Sequence, residues 1–576
     1  MKIENKWWAV AELNHGHEDF QSSALPTELT ALNEDNNPYF FSKSRFHNNI
    51  YRFALITTKE NPVFFEMVTI NKSNIILSII SGILMSLGFP LFDFYPAAWF
   101  AFVPLLIALR GKCTKDAFRL GILSGLAFYL GTIYWVYHSM YHYGYLPLYV
   151  SILIMFLLCL YLSLYTGLFS MLFNYVSASY RIPAMIAAPA IWVTMEYIRT
   201  YALTGYPWAL IGYSQYKFLP MIQISAITGV YGISFLIIAF NGAIFDVIRR
   251  YMKRDDPTAP NPGIVLSCGI ILAAIMVLSL FYGLGSLSDE NSGSTIKVSV
   301  VQGNIPQDKK WNYKFQRDVI DKYKKLTSEI SSNNPDLIVW PETALPFIYG
   351  ESKIYTEEIN EFQKSYDNYL LFGAMVSKEN SRLANSSVLL SPDGSISAIY
   401  DKMHLVPYGE YVPLRKFTPF IDKLTAVPGD FAVGREPVVM ETPFAKIGNL
   451  ICYEIIFPGL VRQFAANGAN LLVTITNDAW FGPTSAPYQH FSKAVFRAIE
   501  NRVPVARAAN TGISGFIDSR GRILGTSGIF VEAAMTQELS IGHEKSIYTK
   551  YGDIFAYLCI IITILLLAAS LYKSRQ

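Results

Sequence analysis

Ser286-Leu287-Ser288-Asp289-Glu290-Asn291-Ser292-Gly293-Ser294-Thr295 is the stretch at which this chain changes character. Before it, residues 74–284 are nearly continuous apolar runs. After it, residues 286–553 have the charge density and alternating pattern of a globular domain large enough to bury its own core. The Ser-, Gly- and acid-rich connector predicts some freedom of movement between the two parts. Residues 297–301 and 337–340 read as strands with a helical stretch near 313–331 between them, and the alternation recurs to about residue 540. That pattern is α/β.

The chain has 576 residues, 52% hydrophobic and only 16% charged, which is too apolar for a typical soluble enzyme. Candidate spans lie near 75–92, 94–109, 117–137, 146–173, 182–198, 226–247, 263–284 and 554–572, against the roughly 20 apolar residues a helix needs to cross hydrocarbon. About eight spans are therefore expected. Residues 200–225, with Gly205-Tyr206-Pro207-Trp208 and Gly212-Tyr213-Ser214, read as a re-entrant or interfacial arm.

Lys and Arg close to span ends are retained in the cytoplasm. Arg110, Lys112, Lys115 and Arg119 follow the second span, Arg181 the fourth, Arg249, Arg250, Lys253 and Arg254 the sixth, and Lys573 and Arg575 the eighth. The alternate loops hold only Arg199 and Lys217. Four parts are expected: a polar N-terminal extension of unassigned role (1–73), a seven-span membrane domain (74–285), an extracytoplasmic catalytic domain (286–553), and an eighth span with a short cytoplasmic tail (554–576). Both termini would then be cytoplasmic. The first 66 residues lack the apolar core of a signal peptide, and Met67 is an alternative start.

A net charge of +3 with no basic stripe argues against nucleic acid as a partner. Of five cysteines, only Cys452 lies outside or away from apolar spans, so the polar domain cannot form an internal disulfide. No Cys-x-x-Cys, His-Glu-x-x-His, Walker loop or Gly-x-Gly-x-x-Gly is present, and His404, His490 and His543 are scattered, so neither a metal nor another cofactor is expected.

Cys452, Glu342 in Trp340-Pro341-Glu342 and Lys402 in Tyr400-Asp401-Lys402 would together make an acyl-transfer set. A thiol becomes a strong nucleophile as thiolate, which a base or a nearby cation can provide. Glu342 could move the proton, while Lys402 and the Tyr453 N–H stabilise the oxyanion. Each residue also has a plainer reading. An isolated cysteine is most often a small buried hydrophobe, a Glu after Trp-Pro a helix start, and a Lys after Asp a solvated turn.

Five stretches change that weighting: Val300-Val301-Gln302-Gly303-Asn304-Ile305-Pro306; Trp340-Pro341-Glu342-Thr343-Ala344; Tyr400-Asp401-Lys402-Met403-His404-Leu405-Val406-Pro407-Tyr408-Gly409-Glu410; Ile451-Cys452-Tyr453-Glu454; and Thr476-Asn477-Asp478-Ala479-Trp480-Phe481-Gly482. In this order they resemble the motifs of the apolipoprotein N-acyltransferase family. Tyr161-Leu162-Ser163-Leu164-Tyr165-Thr166-Gly167, Leu203-Thr204-Gly205-Tyr206-Pro207-Trp208 and Gly212-Tyr213-Ser214-Gln215 extend the likeness into the apolar part, so that it covers about residues 74–572.

The resemblance implies a nitrilase-like αββα sandwich attached to a polytopic helical membrane domain, with a catalytic triad of Glu342, Lys402 and Cys452. Glu410, Tyr453 and Glu454 fall on supporting positions. Trp208 and Trp480 are aromatic candidates for a lipid-facing entrance, although Trp208 could equally be an interfacial anchor. The implied reaction moves an acyl chain from a membrane phospholipid, through a Cys452 thioester, to the N-terminal amine of a diacylated apolipoprotein. The implied setting is a monomer in the bacterial inner membrane with its catalytic domain in the periplasm. Hydrolysis, with water as acceptor, is the chemical competitor. Transport is less favoured, because Glu196 and Asp246 lie near span ends and the apolar runs are otherwise nearly uncharged.

Overall fold

Each of the eight apolar runs is helical, yet they differ in their capacity to cross a bilayer. In chain order the helices are α1 (Lys72–Leu87), α2 (Val103–Leu109, preceded by a 3-10 turn at Tyr95–Trp99), α3 (Thr114–Ile133), α4 (Val136–His142), α5 (Leu148–Ser179), α6 (Ala184–Tyr201), α7 (Val230–Met252) and α8 (Pro262–Ser288). A further helix, Ile554–Ser574, closes the chain. The computed structural model describes residues 70–179, 181–252, 259–289, 293–379, 382–412, 430–542 and 544–574. The expected extension up to residue 69, Met67, Lys253, Arg254, His543 and Arg575 lie outside the described residues.

Among the described residues, α5, α7, α8 and the closing helix are long and apolar enough to span, and α3 with α4, bent by 52°, makes a fifth if counted as one. The other runs are limited by length or charge. The 16 residues of α1 reach about 24 Å at 1.5 Å per residue, short of a hydrocarbon core of about 30 Å. Helix α6 carries Glu196 and Arg199, both buried. Helix α8 and the closing helix instead expose Leu278, Phe281, Ile564 and Leu565, an apolar surface suited to lipid.

The polar part is two mixed sheets. One runs β13-β1-β2-β4-β5-β6 with β3 beside β4, the other β12-β11-β10-β9-β8-β7. Their strands are β1 (Ser294–Gln302), β2 (Leu337–Val339), β3 (Ile348–Tyr349), β4 (Tyr369–Ser377), β5 (Leu383–Leu390), β6 (Ile396–Asp401), β7 (Val439–Glu441), β8 (Lys446–Ile451), β9 (Leu471–Thr476), β10 (Val505–Ala509), β11 (Gly515–Ile517), β12 (Ile523–Thr526) and β13 (Ala533–Ile541). Strands β1, β2 and β4 are parallel, as are β8, β9 and β10, with antiparallel strands at the edges.

Side chains alternate across a strand. Leu337 and Val339 therefore join Val473 and Ile475 between the sheets, while Ile338 turns outward to Val319, Tyr323 and Leu326 of α9 (Gln316–Ser331). Helix α10 (Lys353–Gln363) follows β3, and α11 (Pro458–Ala466) and α12 (Ala486–Asn501) flank the second sheet. The layers are helix, sheet, sheet, helix. The closing helix is α13.

Helix α12 is the joint. Nearly all its side chains are buried, polar ones included, because its outer face meets the membrane helices instead of water. Gln489 Nε2 donates to the carbonyls of Pro90 (2.9 Å) and Thr132 (3.0 Å), and its Oε1 accepts from the Trp208 indole (2.7 Å). Glu500 Oε1 accepts from Val230 N at the start of α7 (3.0 Å), and Arg497 donates to the Tyr213 hydroxyl (3.0 Å). Residues 208–215 of the arm are consequently buried under α12.

The helical end of the connector is held by side chains of the polar part. Helix α8 continues to Ser288, and β1 begins at Ser294. Arg502 donates to Ser286 Oγ (3.0 Å), and Arg522 donates to the Leu287 carbonyl. Two arginines thus satisfy the end of a helix that serine and glycine alone would leave loose.

Candidate active site

Three of the site's backbone positions lie at the carboxyl ends of parallel strands, where an α/β sheet opens a crevice. Glu342 follows β2, Cys452 directly follows β8, and Asn477 directly follows β9; Lys402 directly follows β6. Cys452 sits at φ +54°, a left-handed conformation that costs a non-glycine residue about 1–2 kcal/mol. It opens a 3-10 turn, Cys452–Ile456. The turn lifts the sulfur off the strand and leaves the first N–H groups without partners inside the turn.

Lys402, Glu342 and Glu410 converge, with Cys452 beside Glu342. Lys402 Nζ lies 3.4 Å from Glu342 Oε1 and 2.9 Å from Glu410 Oε1, with Lys402 only 1% exposed. The Asn385 amide donates to both carboxylates, at 2.8 Å to Glu342 and 2.9 Å to Glu410. The other oxygens accept backbone N–H groups, Glu342 Oε2 from Asn477 (2.8 Å) and Glu410 Oε2 from Val406 (2.7 Å). Two carboxylates therefore share one ammonium and one amide.

Burial opposes the Lys402 ammonium, yet Glu410, Glu342 and Cys452 together hold its pKa above the usual lysine range. Burial also opposes the Glu342 carboxylate, but Lys402, Asn385, Lys310 and Cys452 hold its pKa below the usual range. Burial and the Glu342 charge push the Cys452 thiol up, with Lys402 only partly offsetting them. The resting pair is then a neutral thiol beside an ionised carboxylate.

Glu454 is buried with both carboxylate oxygens hydrogen-bonded. One oxygen accepts from the Tyr400 hydroxyl (2.7 Å) and the N–H groups of Met403 (2.7 Å) and His404 (3.1 Å), and the other accepts from Ile451 N (2.7 Å). It ties the end of β8 to the loop after Lys402. The Tyr453 hydroxyl reaches back to the Gly205 carbonyl of the membrane arm (3.4 Å).

The two tryptophans part company. Trp480 is 41% exposed, its ring edge-on to Tyr143 of the membrane part at 5.4 Å. Trp208 is 1% exposed, stacked on His490 at 5.4 Å with the Lys493 ammonium 4.8 Å from its ring centre. It presents no lipid-facing surface.

Residues 81–243 match the family described as apolipoprotein N-acyltransferase N-terminal domain, and residues 297–545 match carbon-nitrogen hydrolase. The apolipoprotein N-acyltransferase of Geobacter metallireducens is 42% identical over 495 residues, covering 85% of this chain and 94% of that one. The chain belongs to the apolipoprotein N-acyltransferase family. The relative from Chlorobaculum tepidum is 29% identical over 558 residues, covering 91% of this chain and all of that one. Among solved structures, the amidase from Nesterenkonia sp. AN1 is 20% identical at a TM-score of 0.34, covering 43% of this chain and 92% of that one.

Several site residues of this N-acyltransferase family member escaped the sequence reading. Asn385 opens a polar run, Asn385-Ser386-Ser387, inside a buried strand, which is the signal that could have found it. Lys310 donates to the Glu342 carbonyl (2.9 Å), and burial lowers its pKa to about 8 against the pull of Glu342. Asp478 lies inside a quoted motif without a role, and its His490 partner carries no local signal at all.

Proposed function

We propose that Cys452 takes an acyl chain from a membrane phospholipid as a thioester and passes it to the N-terminal amine of a diacylglyceryl-cysteine apolipoprotein. The observation that carries this reading is the Glu342–Lys402–Cys452 cluster, built into a domain that α12 fastens to apolar helices. Both substrates carry acyl chains, and each methylene drawn into water would cost about 0.8 kcal/mol. An acyl-transfer site for them belongs beside a bilayer.

In the first half-reaction Sγ attacks the ester carbonyl carbon while its proton passes to Glu342. The oxyanion is met by the Lys402 ammonium, whose third donor is left after Glu342 and Glu410 take two, and by the Tyr453 N–H. Collapse expels the lysophospholipid alkoxide, which takes the proton from Glu342 and leaves the thioester. In the second half a neutral amine attacks the thioester, Glu342 accepts its proton and returns it to the leaving sulfur.

A cavity of about 470 Å³ lies where Leu203 and Thr204 of the arm meet Met403 and His404, the residues after Lys402. It favours an approach from the membrane side. The loop charges favour cytoplasmic termini and a periplasmic domain over residues 286–553, and the apolar helices, four or five of them long enough to span among the described residues, favour a polytopic protein of the bacterial inner membrane. Incubating the purified protein with phospholipid and no acceptor should add one acyl mass, absent from Cys452→Ala. An adduct that persists in Cys452→Ala removes Cys452 from the mechanism.

A further inference from the structure

Cys452 O accepts from the ring nitrogen Nε2 of His490 at 3.1 Å. A carbonyl oxygen has no proton to give, so Nε2 must carry one. The opposite edge of the ring is held through Arg507: on a neutral ring Nδ1 accepts from Arg507 Nη2 at 3.0 Å, and Arg507 is itself fixed by donating to Asp478 Oδ2 at 2.8 Å. Thr476 donates to Asp478 Oδ1 at 2.9 Å, and all of these side chains are buried. Trp208 stacks on the ring face, and the neighbouring Gln489 is bonded to α1's exit at Pro90 and to α3 at Thr132.

The peptide bond is planar and trans, so its C=O and N–H point in opposite directions. Whatever fixes the Cys452 carbonyl therefore aims the Tyr453 N–H, the donor placed at the substrate oxyanion. The left-handed φ of Cys452 makes that orientation one the backbone would not keep unaided.

We infer that His490, braced by Asp478 and Arg507, is a positioning residue that holds the Cys452–Tyr453 peptide with its N–H facing the oxyanion. This rests on the thioester chemistry proposed above. The membrane arm contributes through Trp208, which packs the ring in place.

The test compares His490→Gln, which keeps an N–H donor of similar reach, with His490→Met, which has similar length and no donor. Two rates are measured on the purified full-length protein: thioester formation from phospholipid by intact mass, and alkylation of Cys452 by iodoacetamide. Alkylation builds no oxyanion, so it reports the sulfur without the N–H. Loss of one oxyanion donor predicts thioester formation about 10²-fold slower in His490→Met, alkylation within about threefold of the parent, and at least tenfold recovery in His490→Gln.

Equal acylation in parent and Met variant, a parallel fall of both rates, or a Gln variant no better than Met would overturn the inference. Should His490→Met fail to fold, Asp478→Asn, which keeps the ring and the volume, must show the same selective loss to about tenfold, and its absence overturns the inference as well. A parent protein that takes up no acyl mass instead sinks the thioester reading, and this inference with it.

Discussion

Replacing Lys402 with methionine removes the one ammonium that Glu342 and Glu410 share while nearly preserving volume. Two carboxylates are then left bridged by the Asn385 amide, with Glu342 accepting one backbone N–H and Glu410 another. Removing one partner from a buried ion pair costs about 3–5 kcal/mol, because the remaining charge is stranded. The site can relieve this only by binding a proton. In the parent the Glu342 pKa is depressed, so its contribution to stability is present above the unfolded value of about 4.3 and disappears as pH falls through the folded one.

In Lys402→Met the sign reverses. A carboxyl whose folded pKa is raised contributes fully below about 4.3 and loses that contribution as pH rises through its folded value. The variant should therefore unfold close to the parent near pH 5 and well below it at pH 8. Taking about 3–5 kcal/mol and a domain of roughly 250 residues, the gap at pH 8 is roughly 6–20 °C. Thermal unfolding in detergent at both pH values reads it. A variant that matches the parent at pH 8, or whose deficit shrinks as pH rises, would refute the shared-ammonium account.

Lys310→Met withdraws a positive charge that helps hold the Glu342 pKa down, so the acid limb of the rate of acyl-enzyme formation should move to higher pH. An unmoved limb would show that Lys310 is not coupled to the base. Trp208→Ala removes the indole bond to Gln489 and the stack on His490, and should cost about 3–5 kcal/mol of stability. A melting temperature unchanged from the parent would mean that the arm and α12 are not joined through this ring.

The family and the α/β pattern that follows the apolar runs were legible in sequence, each for a definite reason. Apolar runs of bilayer length stand out because water would not tolerate them outside a membrane. Glu342, Lys402 and Cys452 were singled out by motif resemblance, since residues 60 and 50 positions apart carry no local sign that a sandwich will join them. What sequence reasoning missed is polar and long-range. Asn385, Lys310 and His490 act through partners 43, 32 and 38 positions away.

Composition was misleading where tertiary partners overrode it. Ser286–Thr295 looked like a loose tether, but Arg502 and Arg522 hold its helical end. Trp208 suggested a lipid contact, because tryptophan favours interfaces, yet a neighbouring α12 offered Gln489 and His490 and buried it. The number of spans also turns on tertiary detail. The 16 residues of α1 and the charged pair in α6 read as spans by hydropathy, while their length and charge set them apart from α5, α7, α8 and α13.

Cys452 is proposed to carry the acyl chain between two lipid-bearing molecules. Acyl-enzyme should be prepared with phospholipid, freed of donor, and mixed with a peptide bearing a diacylglyceryl cysteine and a free N-terminus, while enzyme and peptide masses are followed together. The acyl mass should leave Cys452 and appear on the peptide amine at the same rate. Release of free fatty acid with the peptide unchanged, or an enzyme adduct that the peptide never discharges, would contradict the account.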